Sequence, residues 1–143
     1  MRNTRTVSPT GSYWIDLPSD VEEEKDERVA SYWKPGSEVL VQTSSYLRDE
    51  GQQVCSSDRL KARLAREALS EIREENISIP SCPDCAAASG IDTDGYRWLY
   101  CYAVWPDLTI LITISGRPQE LKEQDKWALD ALRSLRRPGN RDV

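Results

Sequence analysis

Tyr96-Arg97-Trp98-Leu99-Tyr100-Cys101-Tyr102-Ala103-Val104-Trp105-Pro106-Asp107-Leu108-Thr109-Ile110-Leu111-Ile112-Thr113-Ile114-Ser115 is the stretch whose reading decides the fold. Two runs rich in aromatic and β-branched residues, Tyr96 to Trp105 and Leu108 to Ser115, flank Pro106-Asp107 and read as the two strands of an antiparallel hairpin. A two-residue loop there sets Trp105 opposite Leu108, Ala103 opposite Ile110, Cys101 opposite Ile112 and Leu99 opposite Ile114. These residues share one face, and its isoleucines and leucines make it the core side. The other face carries Trp98, Tyr100, Tyr102 and Val104 against Ser115, Thr113, Leu111 and Thr109. A sheet with one solvated face would carry charges there. An aromatic row instead requires a cover, either a helix of the same chain or a partner, and a slip of one residue would exchange the two faces.

Outward from the hairpin, Gly116-Arg117-Pro118 breaks the sheet, and Pro118 suits the first turn of a helix with Leu121, Ala128, Leu132 and Leu135 on one side. Pro138 and Gly139 end that helix. On the other flank Asp92-Thr93-Asp94-Gly95 is a turn preceded by a strand from Cys85 or Ala86 to Ile91. Ser57 or Asp58 caps a helix that runs to about Glu75 on the spacing of Leu60, Leu64, Ala68 and Ile72. Further back, Val29 to Trp33 and Glu38 to Thr43 flank Lys34-Pro35-Gly36-Ser37, a type II turn signature. Tyr13 to Leu17, closed by Pro18, is a first edge strand. Glu22-Glu23-Glu24-Lys25-Asp26-Glu27 is a solvated connector. The expected fold is α+β: an antiparallel sheet of about six strands with two helices, in the order βββαβββα, and helices packed on both faces. Residues 1–143 form a single domain with flexible ends at about 1–10 and 138–143.

The length of 143 residues is enough for one core without covalent staples, and 38% hydrophobic with 30% charged residues is a globular composition. A net charge of -5 argues against nucleic acid, because phosphate binding needs a clustered basic face. The one basic cluster, Arg133, Arg136, Arg137 and Arg141, falls at a predicted helix C-terminus, where cations complement the helix dipole. No window approaches the roughly 20 apolar residues of a membrane span. Without a signal-like apolar stretch at the start, a cytoplasmic location is expected, with the four cysteines as thiols.

The chain contains no histidine. That removes the usual general base, the common nucleophile pairs and the commonest metal ligand. Asp92, Asp94 and Asp107 sit in predicted turns, where aspartate serves the backbone, so no catalytic residue, cofactor or metal is assigned. Asp92-Thr93-Asp94-Gly95 lacks the later ligands of a calcium loop. Cys82-Pro83-Asp84-Cys85 has the spacing of a dithiol or half a metal site. No cation adjoins it, and Asp84 would raise the thiol pKa.

Tyr13-Trp14-Ile15-Asp16-Leu17-Pro18, the Trp33 to Thr43 hairpin, the helix after it, and the run from Trp98 through Ile114 into the last helix together resemble the PsbP-like superfamily, which includes the DcrB-like bacterial proteins. The resemblance covers nearly the whole chain through element order and apolar pattern. It implies helices on both faces of an antiparallel sheet and a non-catalytic accessory role; no functional residue carries over. The expected function is a non-enzymatic accessory or protein-binding module of a bacterium, of inhibitor or immunity type, whose partner is another protein. Trp98, Tyr100, Tyr102 and Leu111 are its candidate contact residues, and a small-molecule ligand stays open. The alternative is a thiol redox or metal-binding protein working through Cys82 and Cys85.

Overall fold

In the computed structural model, which describes residues 4–47 and 55–138, the central hairpin has the register read from its loop. Trp105 pairs with Leu108, Ala103 with Ile110, Cys101 with Ile112 and Leu99 with Ile114. The elements in chain order are β1 (Thr4–Val7), β2 (Ile15–Pro18), β3 (Glu22–Lys25), β4 (Val29–Trp33), β5 (Leu40–Leu47), α1 (Ser56–Arg66), β6 (Ser70–Glu75), β7 (Asp84–Ile91), β8 (Arg97–Trp105), β9 (Leu108–Gly116) and α2 (Pro118–Arg133). Seven strands make one antiparallel sheet in the order β3-β4-β5-β9-β8-β7-β6, and β1 and β2 form a separate two-stranded ribbon. The hairpin thus lies near the middle, and every residue of β9 is buried.

The isoleucine face is the main core. Ile110, Ile112 and Ile114 are shut from solvent with Val39, Val41, Tyr32 and Cys101, under Trp127, Ala128, Ala131 and Leu132 of α2. Each such side chain contributes about 1.5–3 kcal/mol relative to an exposed one. The β1–β2 ribbon completes the cover: Tyr13, Ile15 and Leu17 belong to the same cluster, and the Tyr13 hydroxyl meets Thr43 Oγ1 at 2.7 Å inside it. The aromatic face holds a smaller cluster in which Leu60 of α1 packs on Ala88, Tyr100, Tyr102 and Leu111, with Leu64, Leu69, Ala86 and Trp98 around them. Both faces are therefore covered by helix, as expected, although α1 reaches only part of the second one.

Several elements differ from the expectation. The sheet has seven strands rather than about six, because the acidic stretch expected as a connector is the edge strand β3. It pairs Glu22 with Trp33 and Lys25 with Ala30 and keeps its charges exposed. Thr4–Val7, within the expected flexible end, is β1, which pairs with β2; β2 is thus a ribbon strand and not an edge of the main sheet. Residues 1–3 and 139–143, including Gly139 and Arg141, lie outside the described residues. The first helix was expected to reach Glu75 but stops at Arg66, and Ser70–Glu75 is strand β6 instead. Pairing with β7 satisfies that backbone, Glu71 takes a φ of 51°, and Ile72, expected on the helix core face, is 48% exposed. The last helix stops at Arg133, so Leu135 is buried beyond its end. Of the basic cluster, Arg133 stands in the last turn as expected and Arg136 donates to the C-cap carbonyl of Ser134 at 2.9 Å, while Arg136 and Arg137 also ion-pair with Asp16 at 3.1 Å and Asp107 at 2.9 Å. The expected type II turn is present, with Gly36 at a φ of 82° and Ser37 N donating to Lys34 O at 3.1 Å.

The first turn of α1 is capped through space. Ser56 donates from its backbone N to Asp84 Oδ2 at 2.8 Å and from its hydroxyl to Asp84 Oδ1 at 2.6 Å, while Cys55 at the N-cap position makes no side-chain cap. A carboxylate there satisfies orphan donors and complements the helix dipole. Asp84→Ala is expected to lower stability by about 1–2 kcal/mol, read by urea unfolding, with faster amide exchange in the first turn of α1. Unchanged stability and exchange would refute this anchoring.

Candidate functional site

Strand β7 presents Ala86, Ala88 and Gly90 to the aromatic face, opposite Tyr102, Tyr100 and Trp98. These small residues let α1 and the chain after it sit close. A Cβ on Gly90 would come within 3.1 Å of Leu69 Cβ and 3.2 Å of the Ser70 carbonyl oxygen. The cover therefore lies over β7 and β8. Beside it, over β9, β5 and β4, a groove of about 340 Å³ runs along the same face. Its floor is Gln42, Ser44, Leu111 and Thr113, one wall is Trp98 and Tyr100, and Tyr46, Val29, Arg63 of α1 and Glu67 at the α1 C-cap form the rim.

The aromatic wall is fixed from the turn before β8. Trp98 Nε1 donates to Asp92 Oδ2 at 2.8 Å, while Asp92 Oδ1 accepts the backbone N–H groups of Asp94 and Tyr96, both at 2.9 Å. Partial burial would raise the Asp92 pKa, but these hydrogen bonds outweigh it and hold the carboxyl below its usual range. Trp98 stacks on Tyr100 with ring centroids 5.9 Å apart and planes 19° from parallel. Tyr100 is pushed up to about 12, by burial first and then by the charge of Glu67. Arg63 donates to the Tyr102 hydroxyl at 3.3 Å and pairs with Glu67 at 3.5 Å, which ties the charged rim to the aromatic row.

Of the four candidate contact residues, Trp98, Tyr100 and Leu111 line the groove. Tyr100 and Leu111, 6% and 7% exposed, share the cluster beneath Leu60 with Tyr102 at 5% and meet the groove only along an edge, whereas Tyr102 is not among the groove-lining residues. Tyr46, 43% exposed, went unnoticed because its strand was expected to end at Thr43; continued alternation along Ser44-Ser45-Tyr46 was the available signal. Arg63 and Glu67 were missed because the helix was read from its apolar side, although their spacing of four is a common ion-pair signature.

The cysteines occupy a different place. Cys82 Sγ donates to the Asp84 carbonyl at 3.2 Å and lies 3.7 Å from that of Val104. Cys85 Sγ donates to the Ile77 carbonyl at 3.4 Å. Burial pushes the Cys82 thiol up to about 11, more than those hydrogen bonds lower it. Cys101 is fully buried in the sheet core, paired with Ala87 and Ile112, and Cys55 is exposed. Among the described residues no three His, Cys, Asp or Glu side chains converge to hold a metal ion.

No family model matches the chain, and no curated protein matches it in sequence. Solved structures do match it in three dimensions. A cyanobacterial PsbP (CyanoP) from Synechocystis sp. PCC 6803 superposes with a TM-score of 0.64 over 96% of this chain and 94% of its own, at 8% identity. The fold is PsbP-like. A protein from Bacteroides thetaiotaomicron VPI-5482 matches 96% of this chain with a TM-score of 0.67 at 15% identity, and this chain spans 49% of that protein's length. The Saccharomyces cerevisiae Ran-binding protein Mog1p shares the PsbP-like fold with a TM-score of 0.58, 7% identity and coverage of 94% and 95%.

The thiol geometry sets an expectation for alkylation. With iodoacetamide at pH 8 and peptide mapping by mass spectrometry, Cys55 is modified in the folded protein. Cys82 reacts only as the pH nears its raised pKa or after unfolding, since the thiolate is the reactive form. Rapid modification of native Cys82 at neutral pH would contradict this arrangement.

Proposed function

We propose that the protein is a non-enzymatic accessory or binding module that holds a protein partner in the groove beside α1. The observation that carries this reading is the uneven cover of the aromatic face: α1 covers Tyr102 entirely, while the half-buried Trp98 and the edges of the otherwise buried Tyr100 and Leu111 line a groove rimmed by the exposed Tyr46. Rigid Trp and Tyr side chains with a nearby Arg are the composition of interface hot spots. The wall is held in place before binding by Asp92 and by ring stacking, so little side-chain entropy is lost on docking.

Two further facts support it. The edges of the main sheet do not suit strand addition, because β3 is Glu-Glu-Glu-Lys and β6 is broken by a register shift between Ser70 and Arg73. A partner then meets a face and not an edge. The same fold serves a protein described as Ran-binding. The lack of histidine weighs against catalysis, and inhibitor or immunity-type action fits a small acidic module. The raised Cys82 thiol gives no support to thiol redox chemistry. No helix among the described residues is long and apolar enough to cross a membrane.

The test immobilises the full chain in extract of its source organism and compares it with Tyr46→Arg and, separately, Val29→Arg, each with its fold checked by circular dichroism. A protein retained by the parent chain and reduced at least about tenfold by both substitutions supports the reading, since about 1.4 kcal/mol at a hot spot corresponds to that factor. A partner retained equally by all three chains would overturn it.

A further inference from the structure

The isoleucine face changes character at one corner. Under α2 it is Ile, Val and Ala, but on β6, β7 and the start of β8 the same face carries Arg73, Glu75, Ser89 and Arg97, as their pairing with Leu99, Ala87 and Ile91 requires. Ser89, 2% exposed, donates to Glu75 Oε2 at 2.6 Å and accepts from Arg97 Nη2 at 2.9 Å. Arg73 Nε donates to the same Glu75 oxygen at 3.1 Å, and Arg97 Nη2 lies 3.5 Å from it. This polar floor opens into a cavity of about 260 Å³ between the sheet and α2, walled by Ile77, Leu99, Ile114, Leu121 and Leu129, with Arg133 from the last turn of α2 also lining it.

Three arginines and one glutamate line this cavity, a local charge of +2 (three minus one) in a chain of net charge -5. One ion pair would need one arginine. Glu75 is shared by Arg73 and Arg97, and Arg133 makes no ion pair with a described residue. A guanidinium carries five donors in a fork matched to a carboxylate, and most of those on Arg97 and Arg133 stay available. We infer that the cavity binds a small amphipathic carboxylate, its charged end on Arg97 and Arg133 and its apolar body against Leu99, Ile114, Leu121 and Leu129. The volume is about that of nine liquid waters at about 30 Å³ each, which fits a short chain or a single ring. It falls below the roughly 300–1,000 Å³ of larger small-molecule sites. The apolar walls give a body to the ligand, and the neighbouring Glu75 favours a monoanion over a phosphate dianion by like-charge repulsion. This cavity and the groove beside α1 lie on opposite faces of the sheet, so the two sites are tested independently.

The probe is the series of straight-chain carboxylates from butanoate to decanoate, titrated into the full chain and followed by methyl NMR, with the n-alcohols of equal length as controls. At least one acid is expected to shift the methyls of Leu99, Ile114, Leu121 and Leu129. Its alcohol should bind about tenfold more weakly, as loss of a charged hydrogen bond implies. Arg97→Gln and the surface change Arg133→Gln should each weaken the acid about five- to tenfold and leave the alcohol unchanged; Arg133→Gln keeps the test sound if Arg97→Gln disturbs Glu75 and Ser89. The inference fails if no acid shifts those methyls, if acid and alcohol bind alike, or if Arg133→Gln has no effect on the acid.

Discussion

The rest of the molecule depends on the two-residue loop at Pro106-Asp107. By setting Trp105 against Leu108 it fixes the register of the whole β8–β9 hairpin, and a register fixed in this way assigns every side chain to a face. Both faces then become apolar, one aliphatic and one aromatic, and neither can be left to water. The Arg137 guanidinium holds Asp107 at 2.9 Å from the chain after α2, so the segment that closes the fold also anchors the loop that defines it. Two covers follow: α2 with the β1–β2 ribbon on one side, and α1 on the other.

The covers are unequal, and the candidate sites arise from that inequality. With only eleven residues, α1 spans the small-residue strip of β7 and the aromatic residues of β8, and leaves the Ser, Thr and Gln positions of β5 and β9 as a groove floor. On the opposite face α2 stands off from the corner built from β6, the end of β7 and the start of β8, where the sheet turns from isoleucine to arginine, serine and glutamate and a cavity lies between them. In both places the residue types change where the helix no longer packs on the sheet, as they should when the side chains answer to water or a ligand instead of to a packed layer.

The hairpin, its register, the Pro35-Gly36 turn and the aromatic row were legible in the amino-acid sequence because period-two alternation and turn chemistry are local. What escaped was tertiary. Leu60, Leu64, Ala68 and Ile72 keep a helical period, yet the open edge of β7 takes Ser70–Glu75 as a strand; that competition is invisible without knowing where the edge lies. Glu22–Lys25 has the composition of a loop and pairs as an edge strand because charge is what an edge needs. Asp84, read only as part of Cys-Pro-Asp-Cys, caps a helix 28 residues upstream in the chain. The site was half legible for the same reason: Trp98, Tyr100 and Leu111 came from the hairpin register, whereas Tyr46, Arg63 and Glu67 are brought to it by elements whose packing no local pattern records. Tyr102 stands in the same row but under the helix.

The central claim is that one sheet face is divided into a sealed half and an open half. The measurement that tests it most directly is the urea unfolding free energy of Tyr102→Ala beside that of Tyr46→Ala. The account predicts a loss of about 3–5 kcal/mol for the buried ring and a change within about 0.5 kcal/mol for the exposed one. Equal losses at the two positions, or a tolerated Tyr102→Ala, would contradict it.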